Sequence, residues 1–414
     1  MKILVVGSGG REHALVWKFS QEKSLEILCA PGNGGISLNA KCFDARTIHD
    51  ILELALKERV DLTVVGPEAY LAEGLVDEFE AKGLKVFGPN RKAAKIESSK
   101  VFAKCLMEKY GVPTARFRVF DDAVQAERHI ETCEFPIVIK ADGLAQGKGT
   151  YIAWNQHEAL RAIDSLMRKR IFGEAGKMIV IEEFLSGREV SLMVLSDGED
   201  FVPLLSAMDY KRAHDHDRGP NTGGMGAVAP APHYSEEIFE MVRKNILEKL
   251  SLAFQKEGII YKGILYIGLM ITNQGPKVLE FNARFGDPET QVVLPLMKTN
   301  LSEVCFAVVE GKLSKLKLNW LDEKCVCVVL ASAGYPGDYE VGFTIEGLEL
   351  VEALVFHAGT KLVDGRFITN GGRVLNVCAM AKTYTEARER VYREVQKIHF
   401  KGVHYRKDVA LNMN

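Results

Sequence analysis

Residues 1–65 constrain the fold more than any other stretch, because strands and helices alternate there. Ile3-Leu-Val-Val6 leads into Gly7-Ser-Gly-Gly10 and then a helix carrying Ala14, Leu15 and Trp17. Leu25–Ala30 and Asp61–Val65 read as further strands, with the helical stretch Ile48–Arg59 between them. Such alternation specifies a parallel, doubly wound sheet, whose ligands bind beyond the carboxyl ends of its strands. Those ends are Gly7–Gly10, Pro31-Gly-Asn-Gly-Gly35 and Gly66-Pro-Glu68. The first turn falls short of the dinucleotide fingerprint Gly-x-Gly-x-x-Gly, since Glu12 takes the third glycine's place. No ribose-binding acid follows the second strand, where Ala30 and Pro31 lie. Gly9, Gly10 and Arg11 suit one phosphate group at a helix start. A tight turn with an exposed arginine fits these residues equally well.

The chain has 414 residues, too many for one ordinary core, so roughly two to four domains are expected. With 47% hydrophobic and 26% charged residues it reads as a soluble globular protein. A formal net charge of −2 gives no basic field for nucleic acid, so an anionic ligand must be gripped locally. No apolar run is long enough to span a membrane. Met1–Gly7 is too short for a signal-peptide core and lacks a cleavage site. None of the 8 cysteines forms a Cys-x-x-Cys pair, and only Cys325 and Cys327 lie close. Reduced core thiols in a cytoplasmic protein are expected.

The middle of the chain holds the polar chemistry. Ser98–Gly111 reads as a helix with Val101, Phe102, Cys105 and Leu106 as its buried stripe. Lys100 and Lys104 lie on another flank, which alone reads as a solvated face. Phe135-Pro-Ile-Val-Ile-Lys140 is a strand that directs Ile137 and Ile139 one way and Val138 and Lys140 the other. A lysine ending a buried strand needs a partner, and nucleotide phosphates would supply one. The loop Ala141–Gly149 follows, and the chain returns as Thr150–Ala153. This is not a P-loop, because Lys148 is followed by glycine and then a strand. A strand–glycine loop–strand makes a flap able to close over phosphates. Met178–Leu185 and Arg188–Val194 are further strands. Asp209–Gly226 is the longest polar run; His214, Asp215, His216 and Asp217 within it read as a flexible, solvated loop and not a metal site. Gly263–Ile271 is a buried strand without an acid. Val278–Asn282 is a strand placing Glu280 and Asn282 on one face, with Leu279 and Phe281 directed into a core. Two such oxygens suit Mg²⁺, and solvated residues at a strand end are the plain alternative. Arg284 is free to contact an anion. Asp287 and Pro288 read as the N-cap and first residue of a helix.

Asn282-Ala-Arg-Phe-Gly-Asp-Pro-Glu-Thr-Gln291 resembles the signature of the phosphoribosylamine–glycine ligase (glycinamide ribonucleotide synthetase) family of ATP-grasp enzymes. Asn221-Thr-Gly-Gly-Met-Gly226, Gly334-Tyr-Pro-Gly-Asp338 and His357-Ala-Gly-Thr-Lys361 match that family as well, so the resemblance covers essentially the whole chain. It implies an ATP-grasp fold preceded by a Rossmann-like doubly wound parallel-sheet domain and followed by a small α+β domain. The expected boundaries are 1–95, 96–314 with a flap subdomain over about 114–195, and 315–414. It implies that glycine, ATP and 5-phosphoribosylamine give glycinamide ribonucleotide, ADP and phosphate through glycyl phosphate. ATP would be held by Lys104, Lys140, Gly147, Lys148, Gly149, Glu182, Glu183, Phe184, Leu185 and Glu189. The other substrates would meet Gly9, Gly10, Arg11, Glu12, Asn33, Pro67, Glu68, Lys211, Thr222, Gly223, Gly224, Arg284, Gly286 and Asp287. Lys140, Arg284 and Asp287 are the implied catalytic residues. Glu280 and Asn282 would hold Mg²⁺, with Mn²⁺ as a substitute. Gln146 departs from the family, which carries a small residue there. The partners are small molecules, with no nucleic acid and no membrane; the oligomeric state is open, with a monomer expected. The rival readings are another ATP-grasp carboxylate–amine ligase, and a nucleotide sensor or dehydrogenase resting on the N-terminal glycines.

The last hundred residues carry little chemistry. Cys325–Ala333, Leu348–Val355 and Arg373–Ala379 read as strands. Thr383-Tyr-Thr-Glu386 is a capping box opening a helix with Ala387, Val391 and Val395 on one face.

Overall fold

The structure is a computed structural model that describes residues 1–145 and 149–413. Five strands, β1 (Lys2–Gly7), β2 (Glu26–Pro31), β3 (Lys41–Cys42), β4 (Leu62–Val65) and β5 (Val86–Phe87), form a parallel sheet ordered β3-β2-β1-β4-β5. Leu4 and Val6 enter one apolar core while Ile3 and Val5 enter another. Both faces are therefore covered, which is why this strand is apolar throughout instead of alternating. Helices α1 (Gly10–Ser20) and α2 (Ile48–Glu58) follow β1 and β3, as the strand–helix alternation requires. Two short helices, α3 (Glu68–Glu73) and α4 (Leu75–Glu80), follow β4.

The expected helix at 98–111 is two helices, α5 (Arg91–Ser98) and α6 (Lys100–Tyr110). Ser99 caps α6 by accepting from Phe102 N at 3.0 Å, and Gly111 ends it at φ 67°. The buried face of α6 is Ala103, Lys104, Leu106 and Met107, while Cys105 is exposed. The stripe expected from the sequence is thus rotated: Lys104 points inward, because a polar cleft lies under that flank.

A four-stranded antiparallel sheet follows, ordered β6-β9-β7-β8, from β6 (Phe117–Phe120), β7 (Ile137–Ala141), β8 (Thr150–Ala153) and β9 (Ile179–Glu183). Ile137 and Ile139 pack under α7 (Ala123–Ile130) and α8 (Gln156–Ile163), through Ala126, Ile130, Ala159 and Ile163. The opposite face, with Val138 and Lys140, is left for the cleft. The chain then runs through β10 (Arg188–Asp197), β11 (Phe201–Pro203), β12 (Met208–Asp209), the hairpin β13 (Arg212–His214)–β14 (Arg218–Asn221) and β15 (Gly226–Ala229). Helices α9 (Glu236–Val242) and α10 (Glu248–Lys256) lead to β16 (Lys262–Thr272) and β17 (Gly275–Asn282). Strands β11-β10-β16-β17 make the second sheet of the cleft.

After α11 (Thr290–Val293) and α12 (Leu301–Val309) come β18 (Lys324–Ala331), β19 (Leu354–His357), the hairpin β20 (Thr360–Val363)–β21 (Arg366–Thr369), β22 (Arg373–Ala381) and α13 (Tyr384–Val395). The C-terminal sheet is ordered β12-β15-β18-β22-β19, so two strands from the middle of the chain are hydrogen-bonded into it. The capping box at Thr383 and Glu386 is present, and Ala387, Val391 and Val395 are buried. Residues 348–353 are not the start of a strand. Gly347 turns at φ 84° into a short 3₁₀ turn, Leu350 is exposed, and pairing with β22 begins only at Leu354.

Two further expectations need correction. The run His214–Asp217 is no free loop: Asp217 pairs with Arg406 at 2.8 Å, Asp408 accepts from His216 N at 2.8 Å, and Asp215 accepts from Lys407 N at 2.7 Å. Its partners lie about 190 positions away, so local polarity alone misread it. Asp287 and Pro288 form a turn, and the helix starts at Thr290, because the Asp287 carboxylate is engaged elsewhere. All eight cysteines are free thiols, five of them buried.

Candidate active site

The two antiparallel sheets, α5, α6 and the N- and C-terminal sheets enclose one cleft of about 1020 Å³. That is at the upper end of small-molecule sites and gives room for a nucleotide beside a second substrate. Strand register explains which side chains face it. Ser191, Gly268 and Glu280 stand opposite one another across β10, β16 and β17, and Met193, Tyr266 and Asn282 form the next row. Between Val278 and Glu280 the register slips, and Leu279 is the extra residue of a β-bulge. Leu279 therefore does not join Phe281 in the core but lines the cleft beside Glu280, and its carbonyl accepts from Lys140 Nζ at 3.0 Å. Alternation alone could not show this, because one inserted residue reverses the faces before it.

At one end of the cleft Glu182 bridges two cations. Its Oε2 lies 3.1 Å from both Lys104 Nζ and Lys140 Nζ, and all three residues are buried. Lys104 also donates to Thr114 Oγ1 at 2.7 Å. Burial brings the Lys104 pKa down to about 8, with Glu182 opposing and Lys140 adding to the shift. Glu182 Oε1 is buried with no hydrogen-bond partner among the described residues, an orphan acceptor facing this end. Phe184, Leu185, Glu189 and Gly149 line the same cleft. Glu183 is turned to Arg116, 2.7 Å away, and Glu189 to Lys211, 2.6 Å away. Lys100, unremarked in sequence beyond its pairing with Lys104, donates to Gly143 O at 3.1 Å and also lines the cleft. Gln146, Gly147 and Lys148 lie outside the described residues.

Glu280 faces the middle of the cleft and makes no hydrogen bond or ion pair among the described residues. Burial opposes its ionisation, but Lys211, Lys140, Lys100 and Arg284 around it bring its pKa below the ordinary value. Asn282 Oδ1 receives only a 3.4 Å contact from Arg284. Arg284 is not a free anion contact: it lies 3.3 Å from Glu68 and 3.5 Å from Glu97. Glu97 on α5 also accepts from Ala283 N at 2.6 Å, and burial pushes its pKa up to about 7 against the opposing charge of Arg284. Glu289 is buried, accepting from Ser191 Oγ at 3.0 Å and Tyr266 Oη at 2.9 Å.

The other end joins the N- and C-terminal sheets. Asp287 is clamped on both oxygens, by Gln291 Nε2 at 2.7 Å and Arg373 Nη2 at 3.0 Å. Arg373 Nη1 also donates to Asp287 O and Gly223 O, and Tyr335 Oη accepts from Gly223 N. Arg373 and Tyr335 were not singled out as site residues in sequence, although Tyr335 lies in the matching run Gly334–Asp338 and Arg373 opens the strand Arg373–Ala379. Pro67, Glu68, Lys211, Thr222 and Gly223 line this cleft, whereas Gly224 and Gly286 pack behind it, against Pro288 and Glu289.

The N-terminal turn differs from the expected phosphate seat. Glu12 occupies the Gly9 N–H at 2.6 Å and pairs with Arg11 at 2.6 Å. A Cβ on Gly10 would stand 2.3 Å from Asn376, so that residue is packed against the C-terminal sheet. A phosphate on Gly9 N–H would face a carboxylate already there. Arg11 keeps its place in the cleft wall, tied to Phe285 O at 3.2 Å, and is buried, not exposed. Asn33 is also turned away: its amide donates to Ser8 O and His357 O and accepts from Gly35 N and Ile36 N.

Among the described residues no group of three or more His, Cys, Asp or Glu is placed to hold a metal, and no helix is long and apolar enough to cross a membrane. Comparison with known proteins gives a match along the chain to the phosphoribosylglycinamide synthetase N domain (1–97), ATP-grasp (A) domain (98–290) and C domain (325–412). The phosphoribosylamine–glycine ligase of Caldanaerobacter subterraneus subsp. tengcongensis is 53% identical, with 99% of each chain covered. That of Nostoc sp. is 48% identical, with 100% of each covered. The crystal structure of phosphoribosylamine–glycine ligase from Thermotoga maritima superposes with a TM-score of 0.85 at 37% identity, covering 99% of this chain and 100% of that one. The biotin carboxylase domain of Hydrogenobacter thermophilus 2-oxoglutarate carboxylase shares the fold, with a TM-score of 0.72 at 17% identity over 98% and 91% of the two chains.

Proposed function

The chain belongs to the phosphoribosylglycinamide synthetase (phosphoribosylamine–glycine ligase) family, and from that premise we propose how its cleft works. The enzyme is an ATP-dependent carboxylate–amine ligase of purine biosynthesis, joining glycine to 5-phosphoribosylamine. The observation that carries the site assignment is the Lys104–Glu182–Lys140 bridge opening onto Glu280, which has no partner among the described residues, in the same cleft. Adenine lies against Glu182–Leu185, where Glu182 Oε1 has no donor among the described residues. Lys104 and Lys140 then face the phosphates.

Glu280 and Asn282 fit a divalent cation: both present hard oxygens, and neither is held by a close protein donor. We assign Mg²⁺ there, with Mn²⁺ able to replace it. Held by these two residues, the ion would supply neutralisation of charge on the transferring phosphoryl group. A carboxylate is a poor electrophile, so the glycine carboxylate first takes the γ-phosphoryl group. Lys140 and Arg284 stabilise the charge that spreads over it. The amine of phosphoribosylamine then attacks the activated carbonyl and expels phosphate. Asp287, held by Gln291 and Arg373, accepts a hydrogen bond from that amine and aims its lone pair. Arg11 and Arg373 make this end of the cleft suit a phosphorylated substrate. No side-chain nucleophile is required. All the substrates are small molecules, and a cytoplasmic location with reduced thiols fits this role.

ADP release from Mg-ATP tests the reading, with phosphoribosylamine formed in the assay from ribose 5-phosphate and ammonia. Turnover should require glycine and the amine together. Equal turnover with alanine, or without the amine, would contradict it.

A further inference from the structure

We infer that Asp209 receives the ammonium group of the amino-acid substrate and so makes the site select glycine over acids that lack an amine. The inference rests on the ligase reading above and adds to it the residue that recognises the substrate's cationic end.

Most of the carboxylates lining the cleft are already engaged. Glu68 and Glu97 are turned to Arg284, and Glu182 to two lysines. Glu183 and Glu189 have Arg116 and Lys211, Asp217 has Arg406, and Asp287 has Arg373. Glu289 is held by Ser191 and Tyr266. Only Glu280 and Asp209 make no hydrogen bond or ion pair among the described residues, and both line the cleft. Glu280, beside Asn282, is the carboxylate that would hold the divalent cation assigned above. That leaves one carboxylate without a partner in a chamber whose substrate must bring a positive charge.

Asp209 is delivered there by the fold. It ends the short strand β12, at the edge of the C-terminal sheet, where Met208 and Asp209 pair with Val228 and Ala227. Ala207, two residues earlier, bridges to Ser191 of the row that contains Glu280. The nearest lysine in sequence, Lys211, is bound to Glu189 at 2.6 Å and does not pair with Asp209. Burial, with Glu289, Glu189 and Glu280 adding and Lys211 opposing, raises the Asp209 pKa to about 8. An arriving ammonium would favour the ionised carboxylate and bring that value back down. Glycine carries carboxylate and ammonium on a single carbon. Once its carboxylate faces the phosphoryl group near Glu280, its ammonium must meet whatever acid shares that part of the chamber.

The test is Asp209→Asn, an isosteric change that removes charge and relieves repulsion from three neighbouring acids. Wild-type ADP release is measured first; if it does not depend on glycine, the ligase reading fails and not this inference alone. With wild-type turnover in hand, Asp209→Asn should raise the KM for glycine roughly ten- to hundredfold, the effect of losing a charge-assisted contact. The KM for ATP should stay within about twofold. Glycolate, with a hydroxyl in place of the ammonium, should inhibit both forms alike, so that the preference for glycine collapses only in the variant. A merely structural role would weaken both ligands together. An unchanged glycine KM, or a defect cured by more divalent cation, would overturn the inference and make Asp209 inert or a metal ligand. Should Asp209→Asn not fold, Asp209→Ser carries the same comparison.

Discussion

Replacing Arg373 by methionine tests the join between the C-terminal sheet and the chemistry. Its guanidinium donates at 2.5 Å to Gly223 O, at 2.9 Å to Asp287 O and at 3.0 Å to Asp287 Oδ2. Methionine keeps the aliphatic bulk and removes all three bonds. Truncating one partner of a buried ion pair costs about 3–5 kcal/mol. Here the Arg373 and Asp287 side chains are 20% and 16% exposed, and Gln291 still holds Asp287 Oδ1. Solvent screening and that remaining bond place the cost at the lower end, about 3 kcal/mol. If the loss appears as misplacement of Asp287, kcat/KM for phosphoribosylamine should fall about a hundredfold. The KM for ATP should change by less than about twofold, because the lysine bridge lies at the other end. Denaturant unfolding and steady-state kinetics with each substrate varied in turn give both readouts. Unchanged stability with unchanged amine kinetics would show that Arg373 is a bystander. An equal loss for ATP would show that the cleft is not divided as described.

Glu280→Gln should keep the melting curve and lose on the order of a hundredfold or more in turnover, as expected when one electrostatic contribution to the transition state is removed; wild-type rates in a folded variant would make Glu280 only a strand end. His13 offers a test of acid sensitivity. Its Nδ1 accepts from His357 N at 2.7 Å, and burial first, then the neighbouring His357, lowers its pKa to about 3. Its folded pKa lies below the unfolded value of about 6.5, so the unfolded state binds the extra proton and stability falls as pH drops below 6.5. From pH 7 to 5 the loss from this group is about 2 kcal/mol. His13→Asn, whose side-chain oxygen can still accept that bond, should flatten the dependence by this amount in denaturant titrations; identical pH slopes would refute the reasoning.

What was legible in the sequence follows the range of the interactions involved. The strands β1, β2 and β4 were readable because both faces are buried, so each is a short apolar run bounded by turn residues. The capping box at Thr383 was equally local. The inward turn of Lys104 was not, because its partner Glu182 stands on β9, and a lysine without its partner looks solvated. The bulge at Leu279 and the clamp on His214–Asp217 depend on β16 and on residues 404–408, which local pattern does not register. Arg373 and Asp209 belong to the same class. Each enters the cleft from the C-terminal sheet, whose strands β12 and β15 come from the middle of the chain. The glycine turn at 9–10 was misjudged for a different reason: Glu12, read as a flaw in a fingerprint, is the anion that fills the turn.

The central claim is that the glycine carboxylate is activated by phosphoryl transfer before the amine attacks. Glycine labelled with ¹⁸O in both carboxylate oxygens tests it directly, with mass spectrometry of the phosphate released in a complete reaction. Transfer through glycyl phosphate predicts that each phosphate carries a single ¹⁸O taken from glycine. Unlabelled phosphate, formed at the same rate as the ligated product, would contradict the account.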